Sequence, residues 1–446
     1  YSFYIGRVLE PVPEKKVTDS IETIDKLSSF EPMRIPVDVL RHWKEHPEEL
    51  KRGVLKSEGH YYFPIDDDYE VRKKADKDET VLVVDTNLGL EHARRFGIDG
   101  YKTYFAIAHS QPYPKMQDEV CGLGFPEIVK IWDWGEGLEK GADYVIFTDS
   151  GFGHLAEWLR SKGYYVIGGD GKSERLELDR TYVRKVFDKL GISVPPAKIV
   201  KGIEGVVNAI KEAKQKVFVK ISRVRGDVET FGTDDPNEAA MLLSRGAFQV
   251  LGDDVTFIVE NELEGIEIGV DAWFNGREFN SVVADTIEMK GCGNATKFNS
   301  IDESIWRDTL EKLEPWLRKN GYIGMFCLEG FYDGSKVYVT DVTPRFPYIC
   351  SYAYPKVFKN YSEFMLGIAR GDTLVPKVIG QYSVQIGVYT DDFDTWRIIR
   401  YTRDDTDWIA YRRAIKQDDN VWFVPGDVVV AAGIGAGSSL KSAMSD

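Results

Sequence analysis

The sequence is poor in cysteine and histidine, and its 57 lysines and arginines are outnumbered by 72 aspartates and glutamates. Its 446 residues include 4 cysteines and 6 histidines. The cysteines show no CxxC spacing, and no histidine lies near them at metal-ligand spacing. This pattern argues against a disulfide framework or a zinc site, and it favours a reducing compartment with inert, partly buried thiols. We therefore expect a cytoplasmic protein.

Long apolar runs are also absent. No stretch approaches the ~20 apolar residues that a membrane helix needs, and no signal-peptide pattern opens the sequence. The net charge of −15 argues against a general nucleic-acid or anionic-membrane surface, although it leaves room for a local basic pocket that binds phosphates. No Gly-x-Gly-x-x-Gly follows a strand, so a dinucleotide oxidoreductase is much less expected. The expected partners are small molecules.

Apolar residues make up 43% of the chain and aromatic residues 13%, which is enough for packed cores. A chain of this length exceeds one ordinary core, so two to four domains are expected. Residues 1–76 are rich in charge and proline, and we treat them as an extension of unknown role. From residue 77 to 170, strands alternate with helices. Thr80–Asp85 is a continuous apolar strand of the kind that is buried in a parallel sheet.

Two interpretations fit the stretch Val255–Asp271, in which two β-rich runs flank an acidic linker. From this stretch alone an acidic hairpin with solvated tips is favoured, because hairpins are common and carboxylates usually lie in water. The alternative is a nucleotide clamp. In the clamp, Glu260 would accept from the adenine amino group, backbone groups around Asn261–Leu263 would read the adenine edge, and Glu267 would hold ribose hydroxyls.

Lys220 is the only charged residue of the strand Val217–Ile221. It would either extend to the surface along its aliphatic stem or meet the α- and β-phosphates of a nucleotide. The following loop, Ser222–Thr233, contains two arginines and two glycines. We predict that this loop is a flap over the phosphates.

Two carboxylates, Glu329 and Asp341, fall near the facing ends of a predicted antiparallel hairpin. They are either an ordinary surface pair or a magnesium site, because Mg²⁺ needs few protein carboxylates and completes its shell with phosphate oxygens and water. Arg345 follows the second carboxylate closely. It is placed to neutralise a γ-phosphate or an acyl phosphate.

A strand lysine, an adenine clamp and a two-carboxylate hairpin ending in arginine, in this order, form the pattern of ATP-grasp ligases. From about Thr80 to the C-terminus the chain resembles the phosphoribosylamine–glycine ligase family, with Gly89-Leu90-Glu91-His92-Ala93 at the family's EHA turn. The resemblance implies an α/β (α+β) ATP-grasp fold. It implies a Rossmann-like pre-ATP-grasp domain at 77–170, an ATP-grasp domain at 171–372 and a small β-rich domain at 373–446.

The resemblance also implies a ligand set of ATP and Mg²⁺, with Mn²⁺ as an alternative metal. The implied nucleotide contacts are Lys220, Arg180, Glu260, Asn261, Leu263 and Glu267; the metal positions are Glu329, Asp341 and Thr343; the catalytic residues are Arg345 and the loop lysine Lys290.

The sequence departs from the family in both halves. Arg180 replaces a usual lysine, and Thr343 stands where an asparagine is usual. Phe346-Pro347-Tyr348-Ile349 replaces Gly-Asp-Pro-Glu after the arginine, Leu90 replaces an arginine, and residues 148–154 replace a Gly-Pro-Glu-Ala-Pro loop. The nucleotide half therefore matches the family better than the half that would hold phosphoribosylamine and glycine.

The expected function is an ATP-dependent carboxylate–amine ligase that acts through an acyl phosphate. An amino acid is the expected acid, and the expected amine is not phosphoribosylamine. Two alternatives remain: phosphoribosylamine–glycine ligase activity itself, and a non-catalytic nucleotide-binding or assembly protein, which the replacements at Arg180 and Thr343 suggest. A monomer or homodimer is expected.

Overall fold

A computed structural model places the chain in five sheets with helices packed on and between them. The residues that the structure describes are 55–57, 60–62, 79–108, 116–222, 230–244, 255–289, 292–348, 350–391, 393–400, 407–417 and 420–445. Inside the predicted extension they form one antiparallel hairpin, β1 (Leu55–Ser57) with β2 (His60–Tyr62).

A five-stranded parallel sheet follows. Its elements are β3 (Thr80–Asp85), α1 (Leu90–Ile98), β4 (Lys102–Ile107), a 3-10 helix (Met116–Val120), β5 (Val129–Lys130), α2 (Trp134–Glu139), β6 (Tyr144–Phe147), α3 (Gly153–Ser161) and β7 (Tyr165–Ile167), with strand order β5-β4-β3-β6-β7. Both faces of β3 are covered: Val81 and Val83 pack into one core cluster, and Leu82 and Val84 into another. This burial explains its uninterrupted apolar run and confirms the α/β prediction.

Next come two helices, α4 (Gly171–Leu178) and α5 (Arg180–Leu190). The sequence predicts a single helix from Glu177 to Leu190, and this is wrong. Asp179 has extended backbone angles (φ −139°, ψ 95°), and its carboxylate accepts from the amides of Thr181 and Tyr182. An aspartate in this position is a favourable N-cap, so it starts a second helix and ends the first.

A small antiparallel sheet with strand order β10-β9-β11-β8 lies beyond these helices. Its elements are β8 (Ala197–Lys201), α6 (Gly202–Ala213), β9 (Val217–Ile221), β10 (Thr230–Thr233), α7 (Pro236–Leu243) and β11 (Thr256–Asn261). A helix is predicted over 236–251. The structure ends α7 at Leu243, and residues 245–254 lie outside the described part.

A large antiparallel sheet with strand order β16-β15-β12-β13-β14-β17-β22-β19 carries most of the remaining chain. Its elements are β12 (Ile266–Phe274), β13 (Val282–Met289), β14 (Gly293–Ser300), a 3-10 helix (Ile301–Glu303), α8 (Arg307–Asn320), β15 (Gly324–Tyr332), β16 (Val337–Thr343), a 3-10 helix (Cys350–Ala353), α9 (Tyr354–Val357), α10 (Tyr361–Arg370) and β17 (Tyr382–Tyr389). The C-terminal elements are β18 (Arg397–Ile398), β19 (Ile409–Tyr411), β20 (Ala414–Gln417), β21 (Asn420–Phe423), β22 (Val429–Gly437) and α11 (Leu440–Ala443).

Helix α8 packs on one face of this large sheet. Leu310, Leu313 and Leu317, spaced at three and four residues, are fully buried against strand residues that include Leu328. Because successive strand side chains point to opposite faces, Glu329 lies on the other face. The helix therefore fixes which face of the sheet is left for polar chemistry.

The C-terminal strands extend the same sheet. β17 pairs with β14 on one side and with β22 on the other. A glycine-rich turn is predicted at Gly433–Gly437, and this is wrong, because these residues are the end of β22. A Cβ added at Gly437 would lie 2.1 Å from Ser442 Oγ, so glycine here allows α11 to pack closely. The boundary at 372/373 stays a prediction, since strands from both sides share one sheet.

The cysteines agree with the predicted inert thiols. All four are free, and Cys121, Cys327 and Cys350 are buried. In the described ranges, no helix combines the length and the apolar character that crossing a membrane requires.

Candidate functional site

The acidic linker connects two different sheets. β11 pairs with β8 and β9 in the small sheet, whereas β12 pairs with β13 and β15 in the large one. The acidic-hairpin interpretation of this stretch is therefore wrong. Residues 262–265 connect the two sheets.

Glu260 is held by two cations beside this linker. Its Oε2 lies 2.9 Å from Lys220 Nζ, and its Oε1 lies 2.8 Å from Arg184 Nη2. Ile258 is opposite Lys220 in the β9–β11 ladder, so Glu260, two residues on, projects from the same face. Lys220 is only 7% exposed. Of the two alternatives for Lys220, the one in which it extends to the surface is therefore wrong, and its contact with phosphates stays a prediction.

Two cations contact β16 of the large sheet: Lys220 from the small sheet, and Arg180 from the start of α5, which itself packs against the large sheet. Lys220 Nζ donates to the carbonyl of Thr340 at 3.3 Å. Arg180 Nη1 lies 3.5 Å from Asp341 Oδ1. A space that is partly open to solvent, the cleft, lies beside these contacts. It is lined by Leu176, Glu177, Arg180, Val183, Arg184, Phe187, Val194, Glu260, Val339, Thr340, Asp341 and Val342.

Arg180 keeps an unused donor in this cleft. Its Nε is buried and has no hydrogen-bond partner in the structure as described. Its backbone amide donates to the carbonyl of Ser222 at 2.8 Å, which anchors the start of α5 to the end of β9. A guanidinium has a fork of donors that matches phosphate oxygens. The arginine at a usual lysine position therefore fits an anionic ligand.

Of the three predicted base-reading positions, Asn261 to Leu263, two have amides that are already bonded to other described residues. The amide of Asn261 donates to Pro196 at 2.9 Å, and that of Glu262 donates to Lys216 at 3.1 Å. The amide of Leu263 donates to no other residue that the structure describes. Because the two preceding amides already donate to carbonyls, the Leu263 amide is the better candidate to donate a hydrogen bond to the edge of an adenine base. Glu267 lies on β12 opposite Phe331.

The carboxylate pair is a direct cross-strand pair. Glu329 lies opposite Asp341 in the β15–β16 ladder, with an irregular register next to Glu329. Thr343, opposite Cys327, is two residues beyond Asp341 and so shares its face. Over the described ranges, no cluster of three histidine, cysteine or acidic side chains is arranged for a metal. Two carboxylates without a third ligand suit Mg²⁺ better than a metal that needs a full protein cage.

Arg345 is bound by carboxylates from two other elements. Its Nη2 lies 2.8 Å from Glu177 Oε1 on α4, and its Nε lies 3.2 Å from Asp149 Oδ1 after β6. Asp149 also accepts from Thr86 Oγ1 at 2.7 Å. Glu177 lines the cleft, so Arg345 connects the cleft to the carboxyl edge of the parallel sheet. Its predicted contact with a phosphate stays a prediction.

Two predicted features cannot be placed. Lys290 and residues 223–229 of the predicted flap lie outside the described residues.

Sequence reasoning missed several residues around the site. Arg184 follows Arg180 by four residues on α5, so helical spacing could have indicated that both face one cleft. No spacing pattern in the sequence indicated Glu174. It accepts from the amides of Gly151 and Phe152 at 2.7 and 2.9 Å, and burial raises its pKa to about 7.

Two antiparallel sheets joined by a short linker and preceded by a parallel α/β unit form the ATP-grasp fold, and the predicted fold is confirmed. The chain is similar to the solved structure of phosphoribosylamine–glycine ligase from Thermotoga maritima (TM-score 0.59, 17% identity), covering 82% of this chain and 94% of that one. It is also similar to a biotin carboxylase complex from Campylobacter jejuni (TM-score 0.61, 15% identity), covering 82% and 89%.

The sequence matches are more distant. No family model matches the chain. It is 24% identical to the carbamoyl phosphate synthase large chain of Clostridium botulinum over 247 residues, which is 53% of this chain and 22% of that protein. The Clostridium beijerinckii protein of the same name gives 25% over 223 residues, or 48% and 21%. The chain thus spans about a fifth of the length of the curated relatives that it matches.

Proposed function

We propose that the protein is an ATP-dependent carboxylate–amine ligase, with an amino acid as the acid and an amine other than phosphoribosylamine. The observation that carries this proposal is the pair of contacts that two cations make with β16, from Lys220 to the Thr340 carbonyl and from Arg180 to Asp341. The cations therefore lie beside a predicted metal carboxylate. A triphosphate bound there would meet Lys220 and Arg180 on one side and Mg²⁺, held by Glu329 and Asp341, on the other.

Each group has an assigned role. Lys220 and Arg180 would hold phosphate oxygens, while Glu260, Asn261, Leu263 and Glu267 would hold the nucleoside, with the Leu263 amide as the base-reading donor. Glu329 and Asp341, with Thr343 beside them, would hold Mg²⁺, which would offset negative charge on the phosphates.

Arg184 makes the role of Lys220 physically plausible. Removing one partner from a buried ion pair leaves an uncompensated charge, which is strongly unfavourable. Glu260 contacts both Lys220 and Arg184. Lys220 can therefore turn towards a phosphate while Arg184 continues to neutralise Glu260.

The proposed reaction has two steps. A carboxylate oxygen of the acid attacks the γ-phosphorus as the bond to ADP breaks, which gives an acyl phosphate. The amine nitrogen then attacks the acyl carbon and loses a proton, and inorganic phosphate leaves. The residues of the cleft contribute mainly positioning, charge stabilisation and exclusion of water. Arg345 and Lys290 are proposed to stabilise the transferring group.

Release of ADP tests the proposal. Purified protein with ATP and Mg²⁺ would be screened against pools of amino acids combined with pools of amines, with each pool alone as the control. Release that requires both components supports the ligase. Tight ATP binding without release from any combination would contradict it and support a non-catalytic nucleotide-binding role.

One further arm of the screen addresses the similarity to phosphoribosylamine–glycine ligase. Release of ADP only with phosphoribosylamine and glycine together would assign that activity to this protein. Release of ADP with a different acid and amine would support the ligase reaction with other substrates.

A further inference from the structure

The two predicted metal carboxylates face each other at the edge of the large sheet. Glu329 lies opposite Asp341 in the β15–β16 ladder, and β16 is the outermost strand of that sheet. Like charges that lie directly opposite each other on neighbouring strands are destabilising. The side chain of Asp341 is 41% exposed, so the pair is open to ions on that side. The pair therefore favours a nearby positive charge.

Arg180 supplies a positive charge from within the chain. Its Nη1 lies 3.5 Å from Asp341 Oδ1, and its own side chain is only 13% exposed. Its backbone amide donates to the carbonyl of Ser222, which ties the first turn of α5 to the end of β9. Among the ion pairs of the described residues, Arg180 is the cation that pairs with Asp341. The arginine is therefore placed as the counter-ion of a predicted metal ligand.

The other two cations of the cleft have a different partner. Lys220 Nζ and Arg184 Nη2 lie 2.9 and 2.8 Å from the carboxylate of Glu260. The ion pairs of the described residues connect neither of them to Asp341. Loss of the charge at Arg184 and loss of the charge at Arg180 therefore have different expected consequences for a metal at Asp341.

A divalent metal ion and Arg180 would compete for the same carboxylate. Mg²⁺ binds carboxylate oxygens directly and gives up its own water reluctantly. An ion that approaches Asp341 alone would meet a guanidinium that already offsets the charge of this side chain. A nucleotide changes the balance, because its phosphate oxygens can accept from Arg180, whose Nε is buried without a partner among the described residues. Metal and nucleotide binding would therefore be linked.

We propose that Arg180 excludes free divalent metal from Asp341, so that the cleft takes the metal together with the nucleotide. The inference rests on the proposed nucleotide and metal roles of the cleft. It goes further by assigning Arg180, which stands at a usual lysine position, to the selection of the metal–nucleotide complex over the free ion.

The test measures the binding of Mn²⁺ to the full-length protein by electron paramagnetic resonance, with Mn²⁺ as the probe for the Mg²⁺ site. Arg180→Met removes the charge and keeps a long side chain. Without nucleotide, the dissociation constant for Mn²⁺ should fall about fivefold, because Asp341 loses its competing cation. At saturating Mn²⁺, the dissociation constant for the non-hydrolysable ATP analogue AMPPCP should rise about tenfold, because the phosphates lose a charged donor. A purely structural role for Arg180 would not strengthen metal binding.

Arg184→Met is the matched control. It removes a positive charge one helical turn further along α5, where Lys220 still pairs with Glu260, and its dissociation constant for Mn²⁺ should stay close to the wild-type value. Adding Asp341→Asn to Arg180→Met should cancel the gain, which would locate the metal. Arg180→Gln is neutral and retains a side chain that forms hydrogen bonds, so it should give the same gain even if Arg180→Met does not fold.

The inference is overturned if neither Arg180→Met nor Arg180→Gln binds Mn²⁺ more tightly than wild type in the absence of nucleotide. An equal gain in Arg184→Met would also overturn it, because the effect would then follow from net charge alone. Release of ADP with acid and amine tests the ligase proposal separately. Tighter Mn²⁺ binding without ADP release would retain this inference and reject the ligase, and ADP release without tighter Mn²⁺ binding would do the reverse.

Discussion

The nucleotide cleft and the carboxyl edge of the parallel sheet differ in how their charges are balanced. In the cleft, Lys220, Arg184 and Arg180 all contact carboxylates, so these cations are neutralised within the chain. At the sheet edge, Asp85 Oδ2 and Asn87 Oδ1 are buried without a partner among the described residues. The cleft can exchange internal partners for a ligand's phosphates, whereas the sheet edge offers no such exchange at these two atoms. The arrangement in the cleft suits a ligand that binds and leaves in each cycle.

The largest expected effect is on the cleft. Lys220→Ala should lower the rate of ADP release by about 100- to 1000-fold, the range for removal of one preorganised charge-stabilising donor. The measurement is a coupled ADP assay at saturating ATP. Lys198→Ala is the matched control, because Lys198 is an exposed lysine of the same small sheet. Turnover near wild type in Lys220→Ala would remove this residue from the mechanism.

Loss of Glu260 should affect folding more than loss of either cation. Glu260→Ala leaves Lys220 and Arg184 buried without their shared carboxylate, and we expect the free energy of unfolding to fall by about 3 kcal/mol. Urea unfolding followed by tryptophan fluorescence measures this change. Glu262→Ala, which loses an exposed pair with Lys216, should change stability by less than about 1 kcal/mol. Equal effects in the two variants would show that the buried contacts of Glu260 with Lys220 and Arg184 stabilise the fold no more than the exposed ion pair of Glu262 does.

The sheet-edge side should respond to pH through Glu174. Burial raises its pKa to about 7, even though backbone amides of residues 151–153 favour the charged form. Because the folded-state pKa is above the unfolded value, this contribution to stability is complete below about pH 4.5 and is lost as pH rises through about 7, by about 3 kcal/mol. Glu174→Gln should flatten the dependence of unfolding free energy on pH between 5 and 8. An unchanged slope would exclude Glu174 as its source.

The smallest expected effect concerns the metal. Asp341→Asn keeps the shape but removes one charge, so the Mg²⁺ concentration for half-maximal ADP release should rise about tenfold, or about 1.4 kcal/mol. Titration of Mg²⁺ at fixed ATP measures it. Asp333→Asn, in the exposed turn between the same two strands, is the control. An unchanged requirement would place the metal elsewhere.

The sequence predicted the cleft better than the sheet edge for a physical reason. Lys220, Glu260, Glu329 and Asp341 lie on strands, where a period of two fixes the face of each side chain. The order of these strands was enough to indicate the fold. The break at Asp179 was missed because the apolar pattern continues across it, and only the backbone angles show the cap.

The carboxyl edge of the parallel sheet depends on contacts between distant parts of the chain. Arg412 meets the loop at Asn87 over more than 300 residues, and no local pattern predicts that pairing. Likewise, Arg345 was expected to face a phosphate, but the carboxylates beside it come from α4 and from the loop after β6. An unpaired oxygen on Asp85 is a property of packing, and spacing in the sequence does not reveal it.

The bridge between the two sheets has a mechanical consequence. Five peptide units separate Asn261 from Ile266, so the ends of β11 and β12 can never be more than about 18 Å apart. The linker therefore limits how far the two sheets can move apart at this edge, whereas it restrains their distant ends less. A base bound to the Leu263 amide would be displaced less by an opening of the cleft than the phosphates, which would lie further from the linker. Nucleotide could thus stay attached by its base while the phosphate end opens for exchange of the acid.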